Sequence, residues 1–109
     1  MAAIPPRFAS VAKLADIPPG GAKAVQVGSV HVALFNLDGT VYAVENVCPH
    51  AGGPLALGPR RGELVECPWH GWRFDVRTGG SPDLPGERVC GFPVRLKNGC
   101  VQVAVLSVT

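Results

Sequence analysis

The chain has 109 residues, of which 47% are hydrophobic, and its formal net charge at neutral pH is +2. This length suits one domain, 1–109, and we expect no room for a large catalytic domain beside it. The small charge, without any run of Lys or Arg, excludes a nucleic-acid-binding surface. No apolar window reaches the roughly eighteen residues of a membrane span, and the N-terminus lacks the pattern of a signal peptide.

Fourteen glycines and eleven prolines punctuate the chain, and no stretch shows sustained helical periodicity. This composition predicts an all-β fold of short antiparallel strands joined by ordered turns. In chain order, the first strands are predicted at 8–14 and 24–27, with a turn at 16–21 between them.

A β-hairpin is predicted at 30–46, because Asp38-Gly39 is a preferred two-residue turn and lies between two apolar runs. Pairing outward from this turn sets Phe35 opposite Tyr42. Both faces of the hairpin are largely apolar, so we expect it at the centre of a sandwich or barrel with a layer on each side.

Two short loops carry the candidate metal ligands, Cys48 and His50 as Cys-X-His, then Cys67 and His70 as Cys-X-X-His. Two thiolates and two imidazoles suit either a tetrahedral zinc ion or an iron–sulfur cluster. A structural zinc site usually groups its cysteines in one knuckle and its histidines in the other. Here each loop carries one of each, which favours a two-iron cluster with both thiolates on one iron and both imidazoles on the other.

The flanks of both loops fit a bound cluster. A proline follows each cysteine, as Cys48-Pro49 and Cys67-Pro68, and its fixed φ stiffens the turn. The glycines Gly52, Gly53 and Gly71 allow close backbone approach, so that amide groups can point at sulfide.

The segments 48–55 and 67–79, with Phe74-Asp75 and Thr78-Gly79 after the second loop, resemble the small Rieske [2Fe–2S] ferredoxins. The resemblance extends over nearly the whole chain. It implies the Rieske fold, an antiparallel β-sandwich or barrel base with a small cluster-binding subdomain of two loops inserted at 47–86. It also implies one Rieske-type [2Fe–2S] cluster per chain, held by Cys48, His50, Cys67 and His70.

The resemblance further predicts a low redox potential. High-potential Rieske proteins join the two loops by a disulfide and donate Ser and Tyr hydroxyl groups to cluster and thiolate sulfur. Here Gly53 and Trp69 stand at the expected disulfide positions, and Trp72 and Phe74 at the hydroxyl positions. Because fewer hydrogen bonds to sulfur lower the potential, we expect a midpoint toward the low end of the Rieske range of roughly −150 to +300 mV.

Between and after the loops, short strands are predicted at 63–66 and 73–76. Arg60 and Arg61 are interpreted as a solvated turn, or alternatively as a docking site for an acidic partner. The segment 81–86 resembles the proline-containing loop that covers the cluster in Rieske proteins, or it is an ordinary surface turn.

A last hairpin is predicted around Asn98-Gly99. Its register places Cys90 on an apolar face and Cys100 on a polar face, so that the two form no mutual disulfide. Free thiols of this kind indicate a reducing compartment, the cytoplasm. The predicted buried face comprises Phe92, Val94, Leu96, Val101, Val103 and Val105.

The resemblance implies an electron-transfer component, not an enzyme. In the leading hypothesis the protein passes electrons from a flavin-dependent NAD(P)H reductase to a terminal ring-hydroxylating oxygenase. Transient contacts are expected near His50 and His70. The apolar docking patch is predicted to comprise Pro49, Leu55, Pro68 and Trp69.

Two alternatives stay open at this point. One is a Rieske subunit resembling the small subunit of NAD(P)H nitrite reductase. The other is a zinc-stabilised binding module without redox activity, which would be colourless.

Overall fold

The computed structural model describes residues 8–49, 52–69 and 71–105. These ranges contain strands and two short 3₁₀ helices, Leu14–Asp16 and Leu55–Leu57, but no α-helix, which confirms the predicted all-β fold. Accordingly, no helix among them is long and apolar enough to cross a membrane. In chain order the strands are β1 Phe8–Lys13, β2 Ala22–Val27, β3 Val30–Leu37, β4 Thr40–Glu45, β5 Arg60–Arg61, β6 Leu64–Glu66, β7 Arg73–Asp75, β8 Gly91–Phe92, β9 Val94–Lys97 and β10 Cys100–Ala104.

The strands form three antiparallel sheets. The first has the order β1-β10-β9, the second β2-β3-β4-β8, and the third, smaller sheet β5-β6-β7. The first metal loop follows β4 and so precedes the third sheet in the chain. The second metal loop lies within that sheet, since it joins β6 to β7.

The β3–β4 hairpin has the predicted register, with Phe35 opposite Tyr42 and Leu34 opposite Ala43. Both turn residues have positive φ, 51° for Asp38 and 95° for Gly39, as a tight hairpin turn requires.

Alternate side chains of this hairpin enter two different hydrophobic cores, as predicted from its two apolar faces. We call the one that includes the metal-loop cysteines the site core; its members are Ala33, Phe35, Val44, Cys48, Leu55, Val65, Cys67, Phe74, Val76 and Val89. The other, the base core, comprises Ile17, Val32, Leu34, Val41, Ala43, Val101 and Val103. Each fully buried large side chain stabilises the fold by roughly 1.5–3 kcal/mol, so both cores contribute.

The last hairpin also has the predicted register, with Leu96 opposite Val101 and Val94 opposite Val103. The prediction that Leu96 is buried is wrong, because 46% of its surface is exposed. Leu96 lies on β9, an edge strand of its sheet, whereas Val101 on the central strand β10 is fully buried.

The predicted apolar placement of Cys90 is also wrong, since this residue is exposed. The alternation of side chains between two faces, counted outward from the Asn98-Gly99 turn, does not extend as far as Cys90. The strand after Cys90, β8, pairs with β4 and so lies in a different sheet from β9. The Cys90 N–H donates to Glu45 Oε1 at 2.7 Å, and the Glu45 carboxylate raises the pKa of the Cys90 thiol. Cys90 and Cys100 form no disulfide, as predicted.

Arg60 and Arg61 form strand β5 and not the predicted turn, because they pair with Val65 and Leu64 of β6. The turn is Gly62-Glu63, two positions later, where Gly62 has a φ of 57°. The predicted strands at 63–66 and 73–76 are present as β6 and β7.

Candidate metal centre

The first metal loop is a closed turn that holds Cys48 by its backbone. The Cys48 N–H donates to the Gly53 carbonyl at 3.0 Å, and the Gly52 N–H donates to the Cys48 carbonyl at 2.8 Å. Gly52 has a φ of 75°, which residues with a side chain rarely adopt. An antiparallel bridge between Val47 and Pro54 closes the loop at its base.

The second loop repeats this arrangement around Cys67. The Cys67 N–H donates to the Trp72 carbonyl at 2.7 Å, and the Gly71 N–H donates to the Cys67 carbonyl at 3.0 Å. Gly71 has a φ of 78°, close to that of Gly52. In both loops a left-handed glycine four residues after the cysteine turns the chain back, so the two cysteines occupy equivalent positions.

Both thiols are buried at the edge of the site core, and each cysteine is only 1% exposed. The two loops are also in direct contact. A methyl group built on Gly53 would lie 2.7 Å from Cys67 Sγ and 3.2 Å from Cγ of the Trp69 ring. The Trp69 ring therefore lies against the Gly52-Gly53 backbone of the first loop.

The 3₁₀ helix Leu55–Leu57 fixes the first loop to the strands behind it. Asn46 accepts two hydrogen bonds, from Leu55 N–H to its carbonyl and from Ala56 N–H to its side-chain Oδ1 at 2.7 Å. The next residue, Gly58, packs against the Glu66 carbonyl so closely that no side chain fits there. Glu66 precedes Cys67, so this helix connects the starts of both loops.

The predicted ligands His50 and His70 lie outside the described residues, and no group of three metal-binding side chains occurs within 8–49, 52–69 and 71–105. The described half of the predicted quartet, Cys48 and Cys67, fits a cluster. Its two thiols are buried in one core, they belong to loops of equivalent backbone geometry, and the Gly53 backbone lies close to Cys67 Sγ, which is the environment of an iron–sulfur site.

Three of the four residues of the predicted docking patch are exposed, and that they contact a partner stays a prediction. Pro49 and Pro68 are exposed, and the Trp69 side chain is 59% exposed. The prediction that Leu55 belongs to this patch is wrong, because Leu55 is fully buried in the site core. Leu57, by contrast, is 77% exposed. The exposure of Leu57 was not predicted from the sequence. The short 3₁₀ helix after Pro54 explains it, because residues two apart in such a helix point in different directions, so Leu55 and Leu57 cannot both face the core.

The proline-containing segment 81–86 is attached to the strand that leaves the second loop. Arg73 makes a two-pronged ion pair with Asp83, with Nε–Oδ2 and Nη2–Oδ1 distances of 2.8 and 2.6 Å. Inside the segment, Ser81 Oγ accepts hydrogen bonds from the N–H groups of Asp83 and Leu84. That it covers the cluster stays a prediction.

Comparison with known proteins identifies the class that this fold and site define. Residues 7–101 match the family model of the Rieske [2Fe–2S] domain. The chain therefore belongs to the Rieske [2Fe–2S] family, and the cofactor of that family is the predicted cluster.

A curated relative is the ferredoxin component of the naphthalene 1,2-dioxygenase/salicylate 5-hydroxylase systems of Ralstonia sp, which is 36% identical over 86 residues, 78% of this chain and 83% of the relative. Among solved structures, a complex of reduced oxygenase and oxidized ferredoxin in carbazole 1,9a-dioxygenase contains a chain with a TM-score of 0.82 and 33% identity. That match covers 89% of this chain and 92% of the other. These relatives are electron-transfer parts of oxygenase systems, which confirms the predicted class.

A putative NADH-dependent nitrite reductase small subunit from Mycobacterium tuberculosis is similarly close in structure. Its TM-score is 0.85 at 30% identity, and the match covers 96% of this chain and all of the other. The predicted alternative thus has a structural counterpart as well.

Proposed function

We propose that this protein is a one-electron carrier that accepts electrons from a flavin-dependent NAD(P)H reductase and delivers them to a terminal oxygenase. The pair of buried cysteines, held in equivalent loops of a Rieske fold, is the observation that carries this proposal. The relatives named as ferredoxin components support it.

The proposed cluster ligands are Cys48 and Cys67 on one iron and His50 and His70 on the other. When bound, the cluster supplies reversible one-electron chemistry at a potential that its ligands and their surroundings set. The chain holds the two thiolates away from water and presents the loop tips to a partner. We assign 47–86, which contains the whole β5-β6-β7 sheet, as the cluster-binding subdomain.

Iron and acid-labile sulfide counts with visible and EPR spectra test the ligand assignment. We expect Cys48→Ser, Cys67→Ser, His50→Ala and His70→Ala each to lose the Rieske spectrum. Cys90→Ser and Cys100→Ser are the matched controls and should keep it, because these cysteines lie in other parts of the fold. A colourless wild-type protein that contains zinc would contradict the proposal, and so would ligand variants with an unchanged spectrum.

The same preparation tests the predicted potential. The hydroxyl positions hold Trp72, which packs half-buried against the site core, and Phe74, which is fully buried. Neither side chain has a hydroxyl group for cluster sulfur, which favours a midpoint toward the low end of the range of roughly −150 to +300 mV. A potentiometric titration with a midpoint near the top of that range would be contrary to this expectation.

The exposed apolar residues of the loop region are the proposed contact with the oxygenase and the reductase. Trp69, Pro49, Pro68 and the newly found Leu57 present apolar surface beside the loops. A small patch of this kind suits the weak, transient encounters of redox proteins. Of the two arginines considered for docking, Arg61 is exposed, whereas Arg60 is half-buried and donates to the Gly62 carbonyl at 2.5 Å. We therefore favour Arg61 for attraction of an acidic partner.

The second candidate is a small subunit of an NAD(P)H nitrite reductase, favoured by the structural match over the full length of such a subunit. Tagged protein purified from its own cells separates the two. A stable complex with a large subunit that oxidises NAD(P)H with nitrite supports the subunit, whereas a lone chain that restores a reductase–oxygenase pair supports the carrier. For either role we propose the cytoplasm, because the exposed thiol of Cys90 suits a reducing compartment.

A further inference from the structure

Two adjacent glycines of the first loop are required for different physical reasons. Gly52 needs its left-handed φ of 75°, but a methyl group on it would meet nothing closer than a Trp69 ring atom at 4.0 Å. Gly53 has a φ outside the left-handed region, but a methyl group on it would lie 2.7 Å from Cys67 Sγ. Real Cβ atoms essentially never approach another atom within 3.0 Å, so Gly53 is required for space.

Hydrogen bonds hold the backbone on both sides of this contact. The Gly53 carbonyl accepts the Cys48 N–H, and the Cys67 backbone is held at both its N–H and its carbonyl by the second loop. A side chain at position 53 would therefore push the two loops apart.

Trp69 covers the same contact from outside. Cγ and Cδ2 of its ring would lie 3.2 and 3.3 Å from a methyl group on Gly53. The ring is 59% exposed, yet Cys67 behind the Gly53 backbone is only 1% exposed. The indole and the glycine backbone therefore lie beside a cysteine that is shielded from solvent.

We propose that Gly53 and Trp69 are positioning residues for the Cys67 thiolate, which fix its sulfur between the loops and exclude water from it. This inference rests on the proposed function, in which that thiolate is a cluster ligand. Exposure of the ligand sulfurs to water and hydrogen bonds to them raise the potential of an iron–sulfur cluster, so the Gly53–Trp69 contact is expected to keep it low.

The first test compares Gly53→Ala with Gly91→Ala. Gly91 is a matched control, because a methyl group there would meet nothing closer than the Ala43 carbonyl at 3.9 Å and its φ is not left-handed. We expect Gly53→Ala to raise the midpoint potential, change the EPR g-values and speed cluster loss to a chelator about tenfold or more. Gly91→Ala should match the wild type in all three.

The second test uses Trp69→Ala, which removes a largely exposed ring and is expected to fold, with Leu96→Ala on β9 as its exposed apolar control. We expect Trp69→Ala to raise the midpoint and speed cluster loss, and Trp69→Phe to do so less. If Gly53→Ala fails to fold, the result for Trp69→Ala alone tests the inference. The inference is overturned if the variants at 53 and 69 behave as their controls while the wild type holds its cluster. A wild type without a cluster would instead overturn the proposed function.

Discussion

At the scale of single residues, Leu55 and Leu57 show how close neighbours acquire different roles. Leu55 is fully buried in the site core, and Leu57, two residues later in the same 3₁₀ helix, is 77% exposed. Exposing so large an apolar side chain costs solubility without stabilising the fold, which indicates a contact surface when it lies beside other exposed apolar groups. Because Leu57 follows the first loop closely in the chain, we include it with Trp69 in the proposed docking patch.

We expect Leu57→Ser to slow electron transfer to the terminal oxygenase that the wild-type protein serves, by several-fold, with an unchanged midpoint potential. The reason is that the variant removes contact area without touching the site core. Stopped-flow rates at varied oxygenase concentration provide the measurement, and Leu96→Ser on β9 is the control. Equal rates for the two variants would remove Leu57 from the docking patch.

At the scale of the elements, one ion pair secures the proline-containing segment to β7. The Arg73 guanidinium, through its hydrogen bonds and charge, holds the pKa of Asp83 below its ordinary value of 3.8. A carboxylate whose pKa is lowered by folding stabilises the folded state above its unfolded pKa, and this contribution is lost as the pH falls through the folded value. Both side chains are more than 40% exposed, so the contribution is small and weakens with salt.

We expect Asp83→Asn to speed backbone hydrogen exchange in residues 81–87 at pH 7 and to lower the melting temperature by a few degrees at most. Both differences from the wild type should vanish as the pH falls well below 3.8, where Asp83 is protonated in either state. Arg73→Gln should have the same effect, and the double variant no more than either single change. Additive effects would show that the pair does not hold the segment.

At the scale of the whole molecule, the β3–β4 hairpin separates the base core from the site core. Leu34 and Phe35 are consecutive and both fully buried, but they enter opposite cores because successive side chains of a strand point to opposite faces. Of these two residues, Phe35 is the one that shares a core with Cys48 and Cys67.

We expect Leu34→Ala to lower the free energy of unfolding by about 2–5 kcal/mol and Phe35→Ala by about 3–5 kcal/mol. Only Phe35→Ala should also change the EPR spectrum and the rate of cluster loss, because the cavity it leaves lies in the site core. Denaturant unfolding and EPR of the holoprotein check this. A spectrum altered equally by both variants would contradict the separation of the two cores.

Local patterns in the sequence were sufficient for much of this fold. The turns Asp38-Gly39 and Asn98-Gly99 predicted both hairpins in register, because the type of a two-residue turn sets the pairing of its own strands. The ligand types and their spacing likewise predicted the family, because metal preference is a property of the donor atoms.

Contacts between distant segments decided the rest. Leu55 is buried in the site core and Leu96 is exposed on an edge strand, whereas Cys90 faces Glu45 because β8, which follows Cys90, pairs with β4 in the same sheet. No local period in the sequence encodes these contacts. The approach of Gly53 to Cys67 Sγ joins two loops whose cysteines are equivalent in backbone geometry but far apart in the chain. Sequence alone predicted which atoms are available to bind a cluster, because donor chemistry is a local property, and only tertiary packing decided how closely Cys48 and Cys67 are enclosed.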